Sequence, residues 1–201
     1  EGASTSDLMA EAVRASAELL GLEIAAVIEL LPSGDAFLFR STLGLPDPTG
    51  MKVPADTASQ AGYAILTKGP VVVTDWDTET RFRRSPILAH AGARSGLTVV
   101  IEGRRAPFGV LGLHSRSVRT FRPEDIDFVQ AMANVLGDAF ERQLTDDDMR
   151  HRALHDELTG LPNRLLFMDR LGQALERLRR SNGLSAILFL DLDRFNLVND
   201  S

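Results

Sequence analysis

The stretch Ser185-Ala186-Ile187-Leu188-Phe189-Leu190-Asp191-Leu192-Asp193-Arg194-Phe195 sets the tightest limit on the fold. An unbroken apolar run bounded by turn residues reads as a strand buried on both faces. It delivers two carboxylates, Asp191 and Asp193, just past its end, where open α/β sheets place their ligands. One strand cannot make a domain, and the first residue is Glu1 rather than Met. The chain is therefore expected to be a piece of a longer protein whose chemistry continues past Ser201.

Length narrows the reading further, because 201 residues suit one full domain plus a remainder. With 44% hydrophobic and 25% charged residues the composition is that of an ordinary globular chain. A net charge of −6 argues against a nucleic-acid-binding surface. The absence of cysteine removes disulfides, thiolate metal sites and cysteine nucleophiles together, and suits a cytoplasmic protein. No apolar stretch approaches the ~18 residues of a membrane helix, so no membrane segment is expected.

Periodicity predicts a helix over 7–20, capped by Ser6 or Thr5 and stopped by Gly21. Strands follow over 23–30 and 36–43, joined by Leu31-Pro32-Ser33-Gly34-Asp35 as a hairpin turn. Residues 44–54 read as loop, 55–67 as a helix starting near Asp56, and Val71-Val72-Val73 as a short strand. The span 75–95 has no clean period and holds one short helix around 85–91. Strands over 97–102 and 108–114 form a second hairpin. A helix then opens at Phe121-Arg122-Pro123-Glu124-Asp125, with proline and acids in its first turn. The fold class is α+β, an antiparallel sheet with flanking helices over 1–143. The two terminal helices of that unit are available as a dimer surface. Residues 144–157 are too charged for a buried helix but suit a linking helix with a thin apolar seam of Leu144, Met149 and Leu154. The segment 158–201 contains a turn, a helix over 164–180 and the strand 185–192, the opening of an incomplete α/β unit.

Two linked motifs then carry a resemblance. Asp156-Glu157-Leu158-Thr159-Gly160-Leu161-Pro162-Asn163-Arg164, followed after a helix by Phe189-Leu190-Asp191-Leu192-Asp193-Arg194-Phe195 and Val198-Asn199-Asp200, resembles the start of a GGDEF (diguanylate cyclase) domain. Upstream, Gly62 to Val73, Ala93 to Ile101, Phe108 to Ser115 and Phe121 to Asp125 resemble a GAF sensor domain. The resemblance implies a regulatory module of a cyclic di-GMP signalling protein, whose parent joins two GTP into cyclic di-GMP as a homodimer. The truncated chain itself would be inactive. Two alternatives stay open. The GAF unit could be only a dimerisation scaffold, or the parent could be mainly a phosphodiesterase, with an EAL domain and a GTP-sensing GGDEF domain.

By the same resemblance, Asp191 supplies a carboxylate and Leu192 a backbone carbonyl to Mg²⁺. Arg194 and Phe195 run near the phosphates, and Asn199 bonds guanine. Asn196 stands where the family commonly has lysine, which removes a charge-assisted contact to phosphate. The GAF ligand is unknown. Its pocket is expected against residues 75–95, with Trp76, Phe82, His90 and Arg94 as candidates. Without cysteine a covalent bilin is excluded. His90, four residues before Arg94, resembles the haem-ligating histidine of certain mycobacterial sensor-kinase GAF domains, so haem is an alternative ligand. His114, His151 and His155 read as solvent-facing, and Arg81, Arg83 and Arg84 as a solvated cluster that could favour an anion.

Overall fold

In a β-strand successive side chains alternate between faces, and the strands of this chain use both faces for apolar packing. A computed structural model describes residues 4–46, 48–181, 184, 186–188 and 190. It divides into two compact units, Glu1–Thr145 and Asp146–Ser201.

The first unit contains α1 (Thr5–Leu20), β1 (Ile24–Leu30), β2 (Ala36–Leu43), β3 (Lys52–Pro54), α2 (Gln60–Thr67), β4 (Val71–Val73), α3 (Pro86–His90), β5 (Ser95–Ile101) and β6 (Gly109–Ser115). The long helix α4 (Pro123–Leu154) follows. The strands form one sheet in the order β3-β2-β1-β6-β5-β4, and every pairing is antiparallel. β1 with β2 and β5 with β6 close by hairpins, β4 meets β5 across the segment that carries α3, and β1 beside β6 is the long-range pairing that joins the halves.

Parity along the strands sorts the core into two layers. Ala25, Val27, Leu97, Val99, Leu111 and Leu113 face one side. There they meet Met9, Val13 and Ala17 of α1 and Val129, Ala133, Leu136 and Phe140 of α4. Ile24, Ala26, Ile28, Phe37, Val100 and Val110 face the other side, under α2, α3 and the segment that carries Trp76 and Phe82. Each fully buried large aliphatic side chain contributes roughly 1.5–3 kcal/mol. After Phe140 the apolar residues of α4 turn outward, Leu144 being 62% and Met149 64% exposed.

Three boundaries differ from the sequence reading. Ser4, not Ser6 or Thr5, caps α1: its hydroxyl accepts from the Asp7 N–H while the Asp7 carboxylate accepts from the Ser4 N–H, a reciprocal box. Helix α2 starts at Gln60 rather than near Asp56, because the Asp56 carbonyl accepts from both the N–H and the hydroxyl of Ser59 and closes a turn there. Gly62 fits over that turn, since a Cβ would stand 1.9 Å from the Asp56 carbonyl oxygen. The span 44–54 is not wholly loop, for Lys52–Pro54 adds edge strand β3 to β2.

In the second unit α5 (Arg164–Ser181) is the helix predicted over 164–180. The strand predicted over 185–192 is not seen at 184, 186–188 or 190, which carry no strand assignment. Its remaining residues lie outside the described ones.

Candidate functional site

Between the second sheet face and its cover lies a cavity of about 730 Å³. Its floor is Ile24, Ala26 and Ile28 of β1, Thr98 of β5, and Val110, Gly112 and His114 of β6. Phe37, Phe39, Met51 and Val53 close the end at β2 and β3, and Gln60, Trp76, Arg84 and Leu88 belong to the cover. The walls are mostly apolar, as small-molecule sites are.

Three lining residues each carry a buried side-chain atom without a hydrogen-bond partner, Gln60 Oε1, Trp76 Nε1 and His114 Nδ1, and none of the three atoms opens into the cavity. Their residues are 4%, 7% and 6% exposed. Buried polar groups are ordinarily satisfied, since an unmet one costs about 1–3 kcal/mol. The Gln60 amide is oriented by its own second bond: Nε2 donates to the Val71 carbonyl at 3.0 Å, which leaves Oε1 as the free acceptor. Trp76 is held by its backbone N–H on the Arg94 carbonyl and by the Phe82 ring, edge to face at 5.7 Å.

His114 corrects the sequence reading. It does not face solvent; burial pushes its imidazole down to about 4, so it is neutral at physiological pH. Its ring lies over Gly96, where a Cβ would stand 2.1 Å from Nδ1. The other histidines divide differently. His155 is half-buried and bridged to Pro162, not solvent-facing, and the side chain of His151 lies outside the described residues.

Of the four expected pocket residues, Trp76 lines the cavity and Phe82 packs behind it. His90 is exposed at the end of α3 and does not line the cavity. Arg94 turns away to pair with Asp75 at 3.3 Å and Asp77 at 3.1 Å. The Asp75 carboxyl is held below the usual range first by the Asp77 N–H, with Arg94 adding to it. The arginine cluster also separates. Arg81 chelates Glu79 and caps the Val72 carbonyl, Arg84 donates to the Ala93 carbonyl, and Arg83 with Lys52 stands exposed at the rim beside Asp56. Among the described residues no cluster of histidine and acid side chains could hold a metal.

In the second unit the stretch 156–164 is a joint built from local hydrogen bonds. Asp156 Oδ1 accepts from the N–H and hydroxyl of Thr159, which holds its carboxyl below the ordinary range. Gly160 supplies the left-handed turn at φ +69°. Asn163 works in both directions. Its Nδ2 donates to the Ala153 carbonyl at 2.7 Å, and its Oδ1 accepts from the Leu166 N–H at the start of α5. Asp191, Leu192, Arg194, Phe195 and Asn199 lie outside the described residues.

Comparison with known proteins agrees with this architecture. The GAF domain model matches residues 4–140, and the model of the diguanylate cyclase GGDEF domain matches 153–201. The chain belongs to the GAF domain family, with a GGDEF segment following. A bifunctional diguanylate cyclase/cyclic di-GMP phosphodiesterase, MucR of Pseudomonas aeruginosa, is 42% identical over 73 residues, covering 36% of this chain and 10% of that protein. An uncharacterized protein of Mycobacterium tuberculosis is 33% identical over 161 residues, 79% of this chain and 26% of its own length. The match thus spans about a tenth of MucR and about a quarter of the mycobacterial protein. Among solved structures, the GAF domain of a phosphoenolpyruvate-protein phosphotransferase from Coxiella burnetii superposes with TM-score 0.64. It is 15% identical and covers 72% of this chain and 88% of that one, a likeness of fold alone. The chain thus joins a GAF domain to the start of a GGDEF domain. No helix among the described residues is long and apolar enough to cross a membrane.

Proposed function

We propose that the GAF unit binds a small molecule in its sheet-face cavity and thereby regulates a cytoplasmic diguanylate cyclase that joins two GTP into cyclic di-GMP. The observation that carries this reading is the mostly apolar cavity of about 730 Å³ between the sheet and its cover. A unit serving only as a scaffold gains nothing from leaving that much space unfilled in a core that is otherwise close-packed, which argues against the empty-pocket alternative.

The output half rests on motif resemblance. Asp191 and the Leu192 carbonyl would hold Mg²⁺, whose chemistry is to neutralise charge on the phosphates. Backbone near Arg194 and Phe195 would line the phosphates, and Asn199 would read guanine. Asn196 in the usual lysine position predicts a slower cyclase than relatives with the cation. The reaction needs two GTP sites facing each other, hence a homodimer. Leu144 and Met149 are exposed on α4 and available to a pairing helix, standing about 140° apart around it.

The test is the intact protein with Asp191→Ala. Loss of Mg²⁺-dependent binding of a GTP analogue and of cyclic di-GMP synthesis is expected; unchanged uptake overturns the output assignment. Because MucR is named as bifunctional and another relative, NbdA of Pseudomonas aeruginosa, as a cyclic di-GMP phosphodiesterase, a phosphodiesterase parent is the second reading. Hydrolysis of cyclic di-GMP stimulated by GTP would favour it. Replacing Leu144 and Met149 by glutamate should weaken self-association in sedimentation, and unaltered association would remove the seam.

A further inference from the structure

The floor of the cavity has a notch at Gly112 of β6. That residue pairs with Thr98 of β5 on one side and with Ala26 of β1 on the other. Ile24, Ile28 and Val110 line the floor around this row of small residues. A Cβ added to Gly112 would stand 3.3 Å from His114 Nε2 and 3.5 Å from Thr98 Oγ1. Both atoms therefore flank the same point, and a glycine leaves that point unfilled. The imidazole reaches it because Gly96, the partner of His114 on β5, has no side chain to block the ring.

These two side chains are the polar part of an otherwise apolar floor. Thr98 is 3% exposed and His114 6%, and both line the cavity. Nδ1 of the imidazole is closed off, whereas Nε2 and the Thr98 hydroxyl keep open surface and have no hydrogen-bond partner among the described residues. The threonine hydroxyl both donates and accepts. A neutral imidazole carries an N–H on one nitrogen and a lone pair on the other, so Nε2 offers one or the other. A ligand hydroxyl suits both tautomers, since it too donates and accepts. A carbonyl suits only the tautomer with the proton on Nε2. None of the charged lining residues, Lys52, Asp56, Arg83 and Arg84, belongs to the floor strands β1, β5 and β6. A carboxylate or an ammonium group over the notch would be left unpaired. Burying such a charge costs far more than two neutral hydrogen bonds return.

We infer that Thr98 and His114 anchor, over Gly112, the hydroxyl of an otherwise apolar ligand, an alcohol or a phenol. The ligand oxygen seats between Nε2 and Oγ1, and its hydrocarbon body lies against Ile24, Ala26, Ile28 and Val110. Gly112 keeps the seat open, because a side chain there would cover both anchoring atoms. This rests on the reading of the cavity as a ligand site and names the class of its ligand.

The experiment titrates the chain with 2-naphthol, naphthalene and 2-naphthoate, which share one hydrocarbon body. The ring nitrogens of isotope-labelled histidine report contact at the anchor. The naphthol is expected to move the His114 Nε2 resonance and to bind about tenfold more tightly than the other two. Thr98→Val keeps the branched shape and removes the hydroxyl, so it should weaken naphthol about fivefold and leave naphthalene unchanged. Gly112→Ala keeps both anchoring groups but covers them, and should abolish the preference for naphthol. Retained naphthalene binding shows that each variant still folds around the cavity. Naphthalene binding as tightly as naphthol, an undiminished preference in either variant, or a silent His114 resonance overturns the anchor but leaves the cavity as a ligand site. Naphthoate binding as tightly as naphthol overturns the ligand class in the same way. No binding of any probe up to its solubility limit overturns the cavity reading as well. None of these results touches the cyclase assignment, which Asp191→Ala tests separately.

Discussion

The two units of this chain treat apolar residues in opposite ways. From Thr5 to Phe140 each apolar stripe finds a partner surface, and both faces of the sheet are covered. In the second unit Leu158, Leu165, Phe167, Met168 and Leu175 are all exposed, although α5 is as regular a helix as α1. Its order comes from local hydrogen bonds in the joint 156–164 and within the helix itself. A helix supplies its own backbone partners, whereas a strand must borrow them from a neighbour. That difference accounts for a second unit with a formed helix and no strand at its described residues 184, 186–188 and 190.

The same substitution in two helices gives the sharpest contrast. Leu136 of α4 is fully buried against the sheet, while Leu175 of α5 is 52% exposed. Leu136→Ala should cost about 2–5 kcal/mol of unfolding free energy in denaturant titration. Leu175→Ala, with the same change in helix propensity, should stay within about 0.5 kcal/mol. Equal effects would mean that α5 is covered in solution and the contrast between the units is false.

Acid should expose the next largest effect, with its larger part in the first unit. His114 titrates near 6.5 when unfolded and at about 4 when folded. Below 6.5 the unfolded chain takes up a proton that the folded chain refuses, so stability falls as pH drops toward 4. Across that window the loss is about 3 kcal/mol, and it flattens below the folded value. Asp125 contributes lower down. Its carboxyl is held under 3.8 by the Arg122 N–H and then by the Arg122 and Arg119 guanidinium groups, so its share persists above that value and is lost as pH falls through the folded one. Chemical denaturation at stepped pH should show the first fall in the parent and a much shallower one in His114→Leu. A parent curve flat between 6.5 and 4 would mean that the imidazole is hydrated.

Much of this was legible in the residues. Strands β1, β2, β5 and β6 stood out because β-branched and aromatic runs ended in glycine and proline turns. Strand β3 did not, for three residues at a sheet edge leave no period and Pro54 reads as a breaker. The cap of α1 was displaced because three candidate hydroxyls stand in a row, and only the reciprocal pairing with Asp7 decides among them. Trp76 was found as an aromatic in an irregular cover. Gln60 was not, since a helical glutamine usually faces water. His114 was misread although a signal existed: Val110, Gly112 and His114 share strand parity, so the residue that follows two floor positions is itself on the floor. Asp191 and its neighbours lie outside the described residues and keep the standing that motif resemblance gives them.

Gly96→Ala probes the packing that keeps His114 in place. The added methyl would overlap Nδ1, so the ring must shift toward the cavity that His114 lines. Overpacking of this kind costs about 1–3 kcal/mol. Displaced toward the cavity, the imidazole should also regain water, so its titration in the folded state should rise from about 4 toward 6.5. Loss of stability without that rise would place the strain in the backbone rather than in the ring.

The smallest effect belongs to the joint, and it asks whether local hydrogen bonding really orders the second unit. Asn163→Ala removes both the cap on the Leu166 N–H and the bond to the Ala153 carbonyl. Loss of an N-cap costs about 1 kcal/mol of local helix stability. The change should therefore appear as roughly fivefold faster amide exchange at residues 165–168, since 1 kcal/mol shifts a local opening equilibrium by about that factor. Exchange in β5 and β6 should not change, because those strands draw their protection from the sheet and its two apolar layers. Asn163→Asp keeps the cap acceptor but loses the donor, so it should restore protection at Leu166 and leave the Ala153 carbonyl unmet. If Asn163→Ala left residues 165–168 as protected as before, packing rather than the joint would be holding α5, and the contrast between the two units would have to be drawn elsewhere.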